Sequence, residues 1–293
     1  MAMARILRIP RPKRIDCANC RARAHGLSNA APEQIASLIA SHSSGQRELT
    51  AGHDLFSPGE PCEAIYNVID GWVALYELLK DGRRQILQFA LPGAVLGFHP
   101  TEGAVAPYGA QMLTNATVCV ISQTALESLS TEYPEIGMRL AWMIARDRSL
   151  AFDHLTSIGR RSARERVARL LLELFVRYRA RWPRQVTEEM PLPLTQEHIG
   201  DATGLTGVHV NRVLGELRKD AILQFHYRRL AVFDSEKLLE VAGVDQTLWR
   251  SWVRAPAPTV VAVNRLTVIK LKGHRSVKRC DPSCRGMPAR QAG

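Results

Sequence analysis

The sequence predicts an α+β chain, an antiparallel β-rich N-terminal half and a helical C-terminal half joined by one long helix. Three observations predict it. Turn dipeptides punctuate β-prone runs between residues 49 and 97, an apolar stripe runs through residues 134–158, and residues 194–220 read as helix, tight turn and helix.

In chain order, residues 1–31 form a basic arm carrying the C-x2-C pair Cys17 and Cys20. Pro32 to His42 has Ile35, Leu38 and Ile39 on one helical face. From Leu49 the turn pairs Ala51-Gly52, Pro58-Gly59, Asp70-Gly71, Asp81-Gly82 and Pro92-Gly93 separate the runs AIYNVI, WVALYELL and QILQFAL. That regular spacing predicts an antiparallel sandwich or barrel over residues 32–133. From Pro134 to about Ile158 the apolar residues Ile136, Leu140, Met143, Ile144, Ala151, Leu155 and Ile158 fall near heptad spacing on one long helix. They form either a dimer seam or a face packed on the chain's own β-domain. Asp147 and Arg148 interrupt the stripe, which suits a switchable seam better than a permanent one.

Residues 159–243 hold the most specific pattern. Thr195 caps a helix from Gln196 to about Thr203, Gly204 stops it, and Thr206 caps a second helix. In that second helix Val210, Val213, Leu214 and Leu217 make one buried stripe, which turns Val208, Asn211, Arg212 and Gly215 outward with His209 at their flank. A recognition helix needs this arrangement, because its N-terminal residues must reach base edges while its far side stays packed. The run AILQFHYRRLAVF that follows reads as a two-stranded wing. Arg160, Arg161, Arg164, Arg166, Arg169, Arg177, Arg179, Arg181 and Arg184 crowd the preceding helical segment, as phosphate contact would want.

Charge is polarised in the same sense. The net charge is +11, but residues 246–293 alone hold ten Lys or Arg against the single Asp281. Residues 45–135 carry a balance of −7 and residues 160–230 one of +6, so one half of the body repels DNA and the other can approach it. Residues 244–293 read as a basic, disordered tail, with Trp249 and Trp252 near its start and Cys280 and Cys284 near its end.

The segment IGDATGLTGVHVNRVLGELRKDAIL resembles the winged helix-turn-helix of the Crp/Fnr superfamily of bacterial regulators, and the resemblance extends over about residues 17–243. It implies an N-terminal cyclic-nucleotide-binding-like β-roll sensor over residues 32–133. It also implies a dimerisation helix over residues 134–158 and a C-terminal winged helix-turn-helix over residues 159–243. It further implies a homodimer on an inverted repeat of double-stranded DNA, with RNA polymerase as a partner. Carried over residue by residue, it makes Thr206 a cap and Arg212 the contact to guanine. Asn211 stands at a Ser position and Val208 where relatives carry a base-reading Glu. Thr195, Gln196 and Lys219 become phosphate contacts, and His209 either a contact or a solvated flank.

The resemblance also raises two cofactors. Relatives that bind a cyclic nucleotide pair its phosphate with an Arg in the region that reads here GFHPTEGAVAPYGAQM. No Lys or Arg occurs between Arg84 and Arg139, so a buried phosphate would lack a cation, which argues against a cyclic nucleotide. Cys17, Cys20 and Cys119 match three of the four thiolates of the oxygen-labile [4Fe-4S] cluster of Fnr, and the position of the remaining one is Gly26. His25 and Cys62 are the candidates to complete the set if the arm folds over the β-roll. The alternatives are metal-free thiol redox sensing and inert cysteines.

No apolar run approaches the ~18 residues of a membrane helix, and MAMARILRIPRPKRID lacks the ~7 to 15 residue apolar centre of a secretory signal. A cytoplasmic protein away from the membrane is expected. No nucleophile–base pair, carboxylate pair or phosphate-binding glycine loop stands at a telling spacing, so an enzyme is not expected. The competing reading is a small-molecule-binding β-roll with only non-specific DNA affinity.

Overall fold

The computed structural model describes residues 20–30, 33–62, 64–98, 105–181 and 189–244. Cys17, the start of the arm, Arg184 and the tail with Trp249, Trp252, Cys280 and Cys284 lie outside the described residues. The described part begins with two short 3-10 turns, Arg21–Ala24 and Leu27–Ala30, and helix α1 at Glu33–Ser41.

Eight strands follow: β1 Ser43–Leu49, β2 Asp54–Phe56, β3 Ala64–Asp70, β4 Val73–Leu78, β5 Arg84–Ala90, β6 Val95–Leu96, β7 Gly109–Met112 and β8 Ala116–Ser122. They make two antiparallel four-stranded sheets, ordered β1-β8-β3-β6 and β2-β7-β4-β5. Between them lies a core that includes Phe56, Tyr66, Val68, Val73, Leu75, Met112 and Val118.

Alternation along the strands sends the intervening side chains to the outer faces, and each outer face has its own cover. Ile65 of β3 and Ile121 of β8 meet Leu27 of the arm and Ile136, Leu140 and Met143 of the long helix α3, Pro134–Arg160. On the other sheet Ala74, Tyr76, Ile86 and Phe89 join the core of the C-terminal part.

Helix α2, Gln123–Glu132, is capped by Ser122, whose Oγ accepts from the Ala125 amide at 3.2 Å. Pro134 opens α3 at a position where a missing N–H costs nothing. The sequence stripe on α3 is corrected here. Ile136, Leu140 and Met143 are buried against the chain's own β-roll. Ile158 is half-buried beside Gly204. Only Ile144, Ala151 and Leu155 of the expected seam remain open. The face that is free carries Met138, Ala141, Ala145, Arg148, Phe152 and Leu155, spaced alternately by three and four. Both faces of α3 are apolar, and packing on the sheet takes one of them.

The C-terminal part is α4 Ala163–Arg181, β9 Glu189–Pro191, α5 Gln196–Thr203, α6 Gly207–Lys219, β10 Leu223–His226, β11 Arg229–Val232 and α7 Ser235–Val241. Its sheet has three strands in the order β10-β11-β9, where the sequence reading had two. The added strand pairs Met190 with Leu230 and buries both.

Candidate nucleic-acid interface

Helices α5 and α6 are set by local chemistry. Thr195 Oγ1 accepts from the His198 amide at 3.1 Å, and the Thr195 amide donates back to His198 Nδ1 at 3.3 Å. This is a capping box with His in place of the usual Glu or Gln. Burial, then the nearby Arg84 charge, hold the His198 pKa below its ordinary value and keep Nδ1 free to accept.

Gly204 adopts φ 67°, the left-handed conformation that ends α5. Gly200 is needed for closeness, since a Cβ there would stand 2.5 Å from the Leu205 carbonyl oxygen. Thr206 Oγ1 then caps α6 by accepting from the His209 amide at 3.3 Å.

The stripe Val210, Val213, Leu214 and Leu217 is buried in the C-terminal core together with Ile199 and Ala202 of α5. The opposite face stands open. Val208 is 80% exposed, His209 and Asn211 are exposed, and the Arg212 side chain is 65% exposed with only a 4.0 Å approach to Glu216. Gln196 Nε2 donates to Asn211 Oδ1 at 3.2 Å, joining the first turn of α5 to the free face of α6. Thr206 and Lys219 are exposed at the two ends of α6, and Thr195 is half-buried by its capping role. The structure therefore brings Gln196, Val208, His209, Asn211 and Arg212 onto one surface. Such a surface offers hydrogen-bond donors and an exposed guanidinium to a groove of DNA.

Six of the eight arginines of residues 160–181 do something other than the sequence suggested, while Arg160 and Arg179 stay exposed. Arg169 is buried and donates to Asp153 at 2.7 Å, while Arg161 reaches the same carboxylate at 3.3 Å. Buried Arg177 bonds Glu173 at 2.7 Å and the Phe89 carbonyl at 2.8 Å, and Arg181 bonds the Pro92 carbonyl at 2.9 Å. Arg166 spans the Arg161 and Thr203 carbonyls, and Arg164 holds Asp220. A guanidinium with five donors satisfies carbonyls and carboxylates where elements meet, so this set is structural. The sequence also missed a bond between the two parts of the chain, Arg84 of β5 to Asp201 of α5 at 2.8 Å.

The arm packs on the β-roll. Arg139 donates to the carbonyls of Gly26 and His25, both at 3.1 Å, and its guanidinium lies 4.6 Å from the centre of the Trp142 ring. On the β-roll, Cys119 Sγ lies 2.9 Å from Ser43 Oγ. Burial pushes the Cys20 thiol up, with Cys119 adding in the same direction, so Cys20 is held as a protonated thiol.

Among the described residues no fourth ligand for a [4Fe-4S] cluster is in place. A Cβ on Gly26 would already stand 2.9 Å from the Ala22 carbonyl oxygen and 3.1 Å from Asn67 Oδ1, leaving no room for a cysteine. His25 is corrected as a ligand, because it is engaged with the Ala180 carbonyl on α4. Cys62 is corrected too. It sits in the core between the sheets, just before β3, whereas Cys119 of β8 points to the outer face. Among the described residues no group of three metal-ligating side chains assembles.

Aromatic rings lie between the sheets, with Phe56 6.0 Å from Tyr66 and 5.9 Å from Tyr108 between centroids. Residues 99–104 of the loop that would hold a nucleotide phosphate lie outside the described residues. No helix among the described residues is long and apolar enough to cross a membrane.

Comparison with known proteins agrees with this architecture. Residues 46–133 match the family model of the cyclic nucleotide-binding domain, and residues 165–241 that of the Crp-like helix-turn-helix domain. The chain is 31% identical to the nitrogen fixation regulation protein FixK of Bradyrhizobium diazoefficiens, over 66% of this chain and 80% of that protein. It is 36% identical to the transcriptional activatory protein AadR of Rhodopseudomonas palustris, over 64% of this chain and 77% of that one. The solved structure of FixK2 from Bradyrhizobium japonicum superposes with a TM-score of 0.62 at 30% identity, covering 69% of this chain and 98% of the other.

Proposed function

The chain belongs to the Crp/Fnr family of DNA-binding transcription regulators, and from that premise we propose that it works as a homodimer on an inverted-repeat operator, reading each half-site with α6. The observation that carries this reading is the open face of α6. Val208, His209, Asn211 and Arg212 are exposed at the start of a capped helix whose opposite side is buried. With α6 in the major groove, Arg212 makes the bidentate contact to guanine O6 and N7. Asn211 and His209 reach neighbouring bases, and Thr195, Gln196, Thr206 and Lys219 meet phosphates. Val208 cannot accept a hydrogen bond from cytosine, so the operator differs at that base pair from those read by a Glu.

The sensor answers a signal other than a cyclic nucleotide. Supporting this is the absence of Lys and Arg between Arg84 and Arg139. The signal reaches the reader through α3 and through the contacts of β5 with α5, where Arg84 holds Asp201. Differential binding of signal and DNA to two arrangements of these contacts would couple the sites. RNA polymerase is the partner that such a regulator recruits or blocks.

The test compares Arg212→Ala with Lys219→Ala on specific and random duplexes at fixed salt. Arg212→Ala is expected to lose about 1–3 kcal/mol of discrimination, and Lys219→Ala to weaken both duplexes alike. Equal effects of the two changes would remove the role given to Arg212.

A further inference from the structure

The hairpin of β10 and β11 closes with only two residues, since His226 and Arg229 are partners in the ladder. Both loop residues have positive φ, 48° at Tyr227 and 58° at Arg228. This is the backbone of a type I′ turn, which favours Asn-Gly because a larger side chain in the left-handed region crowds the following carbonyl. Two strained residues in succession at an exposed tip call for a reason in what their side chains do.

Their surroundings supply one. Tyr227 is 87% exposed, above every other large hydrophobic side chain among the described residues. Its ring stands edge-on to His226, with centroids 3.8 Å apart. Arg229 is engaged with Glu189 at 3.0 Å, whereas Arg228 pairs with no carboxylate among the described residues. The Leu192 amide donates to the Arg228 carbonyl at 2.8 Å, which tethers the tip to the segment leading into α5. That segment leads through Thr195 into the first turn of α5, where Gln196 bonds Asn211 on α6. Wing tip, start of α5 and reading face of α6 thus follow one another along one surface.

We propose that Tyr227 and Arg228 form a second DNA-reading element, entering the minor groove beside the major-groove segment read by α6 and favouring A·T pairs there. A guanidinium is drawn into the narrow minor groove of A·T tracts, where the negative potential is strongest. Tyr227, flat and amphipathic, packs on the sugar edge beside it. The tip is thereby a specificity determinant for base pairs outside the half-site core. The inference rests on α6 reading the major groove.

The experiment uses the full chain and the operator it recovers from a random duplex pool, with flanks then exchanged between A·T and G·C. The wild type is expected to prefer A·T flanks by about five- to tenfold. The double variant Tyr227→Asn/Arg228→Gly keeps the turn and relieves its strain. It is expected to melt no lower than the wild type and to bind the same core, with flank preference reduced to within about twofold. Equal loss on both flanks would reduce the tip to a phosphate contact and overturn the proposal, as would no loss at all. Failure of the wild type to select any core would overturn the α6 reading together with this one, and is distinguishable for that reason.

Discussion

Replacing Leu155 by alanine tests which face of α3 meets a partner. Leu155 is 68% exposed, and Phe152, one turn away, 62% exposed. Fully burying a leucine side chain contributes about 1.5–3 kcal/mol, so covering the open two-thirds of Leu155 contributes about 1–2 kcal/mol. A twofold axis presents the residue twice, giving about 2–4 kcal/mol per dimer, or roughly 30- to 700-fold in the dissociation constant. Leu140→Ala is the contrasting change. Leu140 is 7% exposed and packs with Ile136 and Met143 on the chain's own sheet. Its truncation is expected to cost about 2–5 kcal/mol of fold stability, without a comparable direct effect on association of the folded chains. Sedimentation equilibrium gives the dimer constant, and urea unfolding gives the stability. A Leu155→Ala dimer constant within threefold of wild type, with Leu140→Ala dissociating the folded dimer, would refute the assignment of faces.

Other expectations follow from the same packing. Ala221 sits at φ 53° after α6, in a Schellman end with the Ile222 amide donating to the Leu217 carbonyl at 3.0 Å. Ala221→Gly is expected to stabilise by about 0.5–1 kcal/mol net of backbone entropy, raising the melting midpoint by about 1–4 °C. Burial, then Arg181, lower the pKa of His25 to about 4 from an ordinary value of 6.5. Between those values the unfolded chain binds a proton that the folded chain refuses. The contribution is therefore present above about pH 6.5 and is lost as pH falls towards 4. Melting curves of His25→Gln are expected to show a shallower fall over that window, and an unchanged slope would count against the buried imidazole. Protein prepared without oxygen is expected to carry well under four iron and four sulfide per chain. A full complement, bleached by air, would contradict the poor fit of Gly26, His25 and Cys62 to a cluster.

The reader was legible in the sequence because its determinants are local. Thr195, Gly204 and Thr206 mark helix ends within one turn, and Val210 to Leu217 repeat at helical spacing, so α5 and α6 needed no tertiary information. The β-roll strands were legible through their turns, and β3, β4 and β5 fall on the three runs marked by β-propensity. What was not legible depended on choices made in three dimensions. Helix α3 has two apolar faces, and periodicity alone cannot say which one the sheet covers. Cys62, in the turn before β3, is buried between the sheets, while Cys119 of β8 faces outward, and the sequence does not separate the two. The arginines of α4 carry the composition of a phosphate-binding helix, yet Arg169 and Arg177 spend their donors inside the fold. Strand β9 is three residues long, too short to leave a pattern. The turn at His226 to Arg229 was legible, but the capping role of His198 was not, because His is not the residue usually found at the third helical position.

Selection of bound duplexes from a random pool, with the full chain at physiological salt, tests the central claim most directly. An inverted repeat with half-site centres one helical turn apart, about 10 base pairs, is expected to be enriched, and Arg212→Ala is expected to lose its guanine preference. Recovery of no common sequence, with binding that disappears uniformly as salt rises, would contradict it and leave the chain a non-specific DNA binder.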